Sequence, residues 1–131
     1  MPTSFQSLIQ RLTAKLDRWR MVDQWALQYS LEDTSSIPAD FSNYQTIMPP
    51  ADRFWADPFV VEREGTFYIF IEELVYAEGK GKIAVIEMDT AGNYSEPQVI
   101  LERPYHLSYP QVFEEQGEWY MIPETVSNNT I

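Results

Sequence analysis

A chain of 131 residues, 15% aromatic and 44% apolar, has the length of one domain and enough apolar material for a core. Its net charge of −11 argues against a nucleic-acid partner, because neutralising phosphates takes a basic surface. With no cysteine there are neither disulfides nor thiolate metal sites, no apolar run reaches membrane-spanning length, and the N-terminus lacks the uncharged core of a signal peptide. A cytoplasmic location is the expectation, with no metal and no cofactor.

Residues 4–20 carry the one clear helical pattern. Phe5, Leu8, Ile9, Leu12, Leu16 and Trp19 fall on one stripe at the 3.6-residue period, and Thr3 with Gln6 can form a capping box. Arg11, Lys15 and Arg18 flank the stripe; the first 20 residues balance to +3, leaving −14 for the rest. The pattern predicts an amphipathic helix over residues 1–22 that packs on the body of the protein, or alternatively lies on a membrane surface.

Trp25–Tyr29 predicts a short strand, and residues 30–53, rich in Ser, Asp, Thr and Pro, predict a loop. The chain is then organised by one stretch that occurs twice. ADPFVVEREGTFYIFIEE, from Ala56 to Glu73, returns 52 residues later without a gap as SYPQVFEEQGEWYMIPET, from Ser108 to Thr125. Pro58 matches Pro110, Gly65 matches Gly117, and Glu72 matches Glu124. This period is slightly above that of a four-stranded propeller blade.

Each copy reads as a hairpin. In the first, Pro58–Arg63 and Thr66–Glu73 are joined at Glu64-Gly65, with proline at a strand's first residue. A two-residue turn places Asp57 opposite Glu72, and Tyr109 opposite Glu124 in the second copy, at roughly 5 Å between Cβ atoms. The apolar runs Phe67–Ile71 and Trp119–Ile122 predict strands buried on both faces. Gly79-Lys-Gly-Lys82 reads as a flexible basic turn, Lys82–Asp89 as a strand, Thr90–Asn93 as a turn, and Gln98–Glu102 as a strand. The expectation is an all-β propeller fragment over residues 23–131, with a blade at 54–104 and half a blade at 105–131. The open sheet edges suit self-association, or continuation in a longer protein.

Asp57, Glu72, Glu73 and Glu124 are the candidate acidic groups. Paired carboxylates suit glycoside chemistry, in which one protonates the leaving oxygen and the other attacks or activates water. The plainer alternative is that each caps a strand. The single histidine, His106, lies between the copies and is a candidate substrate contact or a buried structural residue. Trp55, Tyr76, Tyr105 and Tyr109 lie near the same strand ends, where rings stack on sugars or simply pack.

FWADPFVVEREGTFYIFIEE, GKGKIAVIEMD and ERPYHLSYPQVFEEQGEWYMIPET resemble the propeller domain at the N-terminus of the glucosamine inositolphosphorylceramide transferases, over roughly residues 20–131. More distantly, the Asp-Pro opening a blade is similar to the five-bladed furanosidase propellers, the arabinanase, invertase and levansucrase clan. That resemblance implies a partial five-bladed propeller. It implies a base or nucleophile at Asp57 and an acid at Glu124, but Tyr109 stands where the clan has its middle carboxylate. Nor does the transferase resemblance bring glycosyl transfer, which that family assigns to a separate C-terminal domain. The leading expectation is a carbohydrate-recognising module of glycan or glycolipid synthesis, with Asp57, Glu72 and Glu124 accepting sugar hydroxyls and Trp55, Glu73, His106 and Tyr109 as substrate contacts. The alternatives are a furanosidase-type hydrolase and a protein-interaction scaffold.

Overall fold

The computed structural model describes residues 24–32 and 40–128. The helix expected over 4–20 lies outside them. The described chain is all-β and antiparallel, its one helical element a 3-10 turn at Val126–Asn128. A two-stranded sheet pairs β1 (Leu27–Tyr29) with β2 (Gln45–Ile47). A four-stranded sheet runs in chain order through β3 (Arg53–Arg63), β4 (Thr66–Val75), β5 (Lys80–Asp89) and β6 (Gln98–Leu101). A further hairpin joins β7 (Ser108–Glu115) to β8 (Glu118–Glu124).

The turns follow from their residues. Glu64 and Gly65 have φ of 53° and 79°, and Gln116 and Gly117 have 54° and 84°. Two successive left-handed residues make the tight hairpin whose twist matches the strands. Glu62 Oε1 accepts from the Gly65 amide at 2.7 Å. At the next connection Asp89 Oδ1 accepts from the amides of Ala91 and Asn93, both at 2.9 Å, closing a side-chain-capped turn.

Alternation along β4 sends its side chains to two packed faces. Ile69 and Ile71, with Ala84, Ile86 and Met88 of β5 and Trp55 of β3, meet Leu27 and Ile47 of the small sheet in the main core. Ile71 and Ile86 are fully enclosed, and each such side chain contributes about 1.5–3 kcal/mol. On the other face β7 crosses β3, β4 and β5, burying Leu107, Pro110 and Val112. The three sheets are therefore stacked, with β3–β6 in the middle.

Several expectations need correction. Strand β3 begins at Arg53, so Pro58 sits inside the strand rather than at its start. It is tolerated because the ladder is broken there: Ala56 pairs with Glu72, but the next pair is Phe59 with Phe70, leaving Asp57 and Pro58 opposite Ile71 alone. This is a β-bulge, the place within a sheet where a residue without an N–H does no harm. The second copy repeats it, with Ser108 opposite Glu124 and Gln111 opposite Ile122. Asp57 and Tyr109 are therefore not directly opposite Glu72 and Glu124, as an unbroken register required; each is displaced by one place.

Three further differences concern strand limits. Gly81 belongs to β5 and not to a flexible turn, which is confined to Tyr76–Gly79. Within the expected loop, Gln45–Ile47 forms β2. Trp119, Tyr120 and Ile122 are substantially exposed, since the β7–β8 hairpin packs on the middle sheet through one face only. Phe67–Ile71, between two layers, is the strand enclosed on both sides.

Candidate functional site

The bulges and the ends of β4 and β8 lie together, so the repeat brings its acidic residues to one end of the stack. Asp57 and Tyr109 occupy the bulges with φ of 50° and 46°. Aspartate visits this left-handed region readily, whereas an aromatic residue there is unusual. The two bulges touch. The Tyr109 amide donates to Asp57 Oδ2 at 3.3 Å, linking residues that stand at the same place in the two copies.

Glu72 is 5% exposed, with three polar side chains around it. It hydrogen-bonds the Asp57 carboxyl, and Glu124 adds a second negative charge nearby. His106 Nε2 lies 3.2 Å from Glu72 Oε1. The other ring nitrogen, Nδ1, accepts from the Gly81 amide at 2.9 Å, so the proton of the neutral imidazole is on Nε2 and points at Glu72. Burial above all, then the Asp57 contact and the Glu124 charge, pushes the Glu72 carboxyl up to about 7. Near neutrality Glu72 is thus shared between its protonated and ionised forms.

Gly81 makes this packing feasible. A Cβ there would lie 2.4 Å from the Leu107 carbonyl, 2.7 Å from Glu72 Oε1 and 2.9 Å from His106 Cε1. The Leu107 amide also donates to the Gly81 carbonyl at 3.0 Å, so the segment between the copies lies directly on β5. A glycine inside a strand is itself the signal of such a close approach.

Glu124 faces outward. It is exposed and accepts from Ser108 Oγ at 3.2 Å through Oε2. With Tyr109, Gln111, Ile122 and Thr125 it lines an open cavity of about 490 Å³, within the range of small-molecule sites. Tyr109 is 58% exposed at its rim. Among the described residues no three His, Asp or Glu side chains are arranged to hold a metal ion.

Of the residues singled out in the sequence, the structure gathers Asp57, Glu72, Glu124, His106 and Tyr109. It places Trp55 and Glu73 elsewhere. Both are buried on the opposite face of the middle sheet, where Trp55 Nε1 donates to Glu73 Oε2 at 3.0 Å and Arg53 Nη1 at 3.2 Å. Lys82 Nζ stands 3.9 Å from Glu73 Oε1. The bulge is the reason: with an unbroken register Trp55 would oppose Leu74 and share the face of Glu72, but it opposes Glu73 instead. Tyr76 packs near Phe54, at 6.3 Å between ring centres. Gly81 and Ser108 are the residues that sequence reasoning missed.

A repeated hairpin that collects carboxylates at its bulged strand ends, stacked sheet on sheet, defines a β-repeat protein with an acidic end site. Residues 41–131 match the model of a family described as the N-terminal part of glucosamine inositolphosphorylceramide transferase 1, and the chain belongs to that family. The glucosamine inositolphosphorylceramide transferase 1 of Arabidopsis thaliana is 37% identical over 73 residues, covering 55% of this chain and 10% of that protein. That of Oryza sativa subsp. japonica is 35% identical over 72 residues, covering 54% and 10%. The matched part thus spans about a tenth of the length of these relatives. No solved structure matches the chain.

Proposed function

We propose that the chain is part of a carbohydrate-recognising β-propeller that serves glycan or glycolipid synthesis. The observation that carries this reading is the cavity beside the acidic end, which an exposed carboxylate, Glu124, and an exposed ring, Tyr109, both line. Carboxylates accept hydrogen bonds from sugar hydroxyls, and a tyrosine face covers the apolar side of a sugar ring. The repeat and the face-to-face stacking of its sheets support propeller architecture. Membership of a family described as the N-terminal part of glucosamine inositolphosphorylceramide transferase 1 supports the link to glycolipid synthesis.

Recognition is preferred to hydrolysis because the inner carboxyls are already engaged: Glu72 with Asp57 and His106, and Asp57 with the Tyr109 amide. Calorimetric titration against a panel of neutral and amino monosaccharides and inositol-containing glycans tests the proposal. At least one sugar should bind, and Glu124→Gln and Tyr109→Ala should each weaken it about tenfold or more, the loss expected of about 1.4 kcal/mol. Absence of binding across the panel, or binding that both variants leave unchanged, would reject it.

One feature favours the furanosidase reading: burial, with the neighbouring carboxyls, pushes Glu72 up to about 7, the range in which a general acid works. Release of an aryl leaving group from furanosides, abolished in Asp57→Asn, would establish it. No release above the buffer rate would remove it.

A further inference from the structure

The two copies are joined at their acidic end by polar contacts that converge on one pair of carboxyls. Asp57 holds the amide of Tyr109 at 3.3 Å, and Glu72 receives His106 Nε2 at 3.2 Å. His106 in turn is fixed by the Gly81 amide on β5. Tyr109 has a left-handed backbone that an aromatic residue adopts only where its surroundings impose it. The hydrogen bond between the Glu72 and Asp57 carboxyls needs a proton, since an ionised carboxylate only accepts and two of them repel.

We propose that the proton shared by Asp57 and Glu72 is a latch between the copies. With the proton in place, Asp57 stays against Glu72 and holds the Tyr109 amide. When it leaves to solvent, the two carboxylates separate, Asp57 releases the amide, and Tyr109 moves at the rim of the cavity. Among the described residues, the groups facing this pair are His106 from the segment between the copies, Tyr109 from β7 and Glu124 from β8, and β5 contributes the backbone of Gly81 and apolar Ile83. Arg53, Lys82 and Glu73 are on the far face of the sheet and engage one another. Among the described residues no Arg or Lys is thereby positioned to hold two ionised carboxylates together. The latch does not depend on what the cavity binds.

The amide resonance of Tyr109 reads the latch directly in a proton–nitrogen correlation spectrum of the chain, titrated from pH 5 to 9. In the wild type it should shift with a midpoint near 7, following Glu72. In Glu72→Gln the side-chain amide still donates to Asp57, so Tyr109 should keep its low-pH position throughout. Asp57→Asn keeps an acceptor for the Tyr109 amide while removing one charge, and there too the shift should vanish. This second variant carries the test if Glu72→Gln does not fold. A wild-type Tyr109 resonance that stays constant over the range would overturn the proposal. So would an inflection of undiminished size in either variant, because the contact between Asp57 and Glu72 would then not be its source.

Discussion

The two copies of the repeat share a backbone and divide over chemistry. Residues 56–73 and 108–125 have the same two-residue turn, the same bulge and left-handed residues at the same three places. Yet Ala56 becomes Ser108, Asp57 becomes Tyr109, and Glu73 becomes Thr125. The shared features rest on Gly65 and Gly117 at the turns and Pro58 and Pro110 at the bulges. These residues act through local backbone conformation, whatever packs around them. The divergent positions decide what each copy does: the first supplies the inner carboxyl pair, the second an exposed carboxylate and ring. A repeat can therefore hold its geometry while only one copy keeps a given chemical group.

A second contrast lies within one strand. Glu72 and Glu73 are adjacent and equally buried, at 5% and 4% exposure. Glu73 meets Arg53, Lys82 and the Trp55 indole, whereas Glu72 meets carboxyls and a neutral imidazole. Replacing each in turn gives the largest expected effects. Glu73→Ala leaves the buried Trp55 N–H without its acceptor and takes from Arg53 and Lys82 the buried one of their two carboxylate partners, Asp52 and Glu78 remaining, and should destabilise by about 3 kcal/mol in a denaturant titration. Glu72→Gln should have the opposite sign at alkaline pH. The folded protein binds the Glu72 proton more tightly than the unfolded chain, whose carboxyl titrates near 4.5. Its contribution is therefore complete below about pH 4.5 and is lost as pH rises through about 7. The difference between wild type and Glu72→Gln should accordingly swing in favour of the variant over that window, by as much as about 3 kcal/mol.

Gly81→Ala probes the contact on which the arrangement of Glu72 and His106 depends. The added methyl meets a backbone carbonyl that cannot turn aside, so a loss of about 2 kcal/mol is expected, together with a changed His106 resonance. The smallest effects test the likeness of the copies. Gly65→Val and Gly117→Val place a branched residue at φ of 79° and 84°, with no side-chain atom nearer than 4.0 Å. The cost is conformational in both, about 1 kcal/mol or more, and should agree between the copies. Unequal losses would show that the turns are not equivalent.

The repeat, the turns and most of the strands were legible because periodic apolar residues, glycine and proline act locally. The bulge was not. Pro58 reads as a strand start in an unbroken ladder, and the two-against-one pairing at Asp57-Pro58 exists only in the sheet. That single slip moved Trp55 to the other face and carried it away from the acidic end. The separation of Glu72 from Glu73 was available in principle, since neighbours on a strand point to opposite faces and both cannot line one site. Gly81 inside a strand was also a readable sign of close approach. The short β2 was not, because three residues among prolines and serines carry too little pattern. His106 was correctly placed between the copies, but its bond to Gly81 arises from the folded chain path.

The account depends on the two copies converging so that Glu72 keeps a proton near neutrality. Carbon-13 titration of the Glu72 side-chain carboxyl measures this directly. A midpoint close to 7 that falls part of the way toward 4.5 in Asp57→Asn, where burial still acts, is the predicted result. A wild-type Glu72 that already titrates near 4.5 would contradict it.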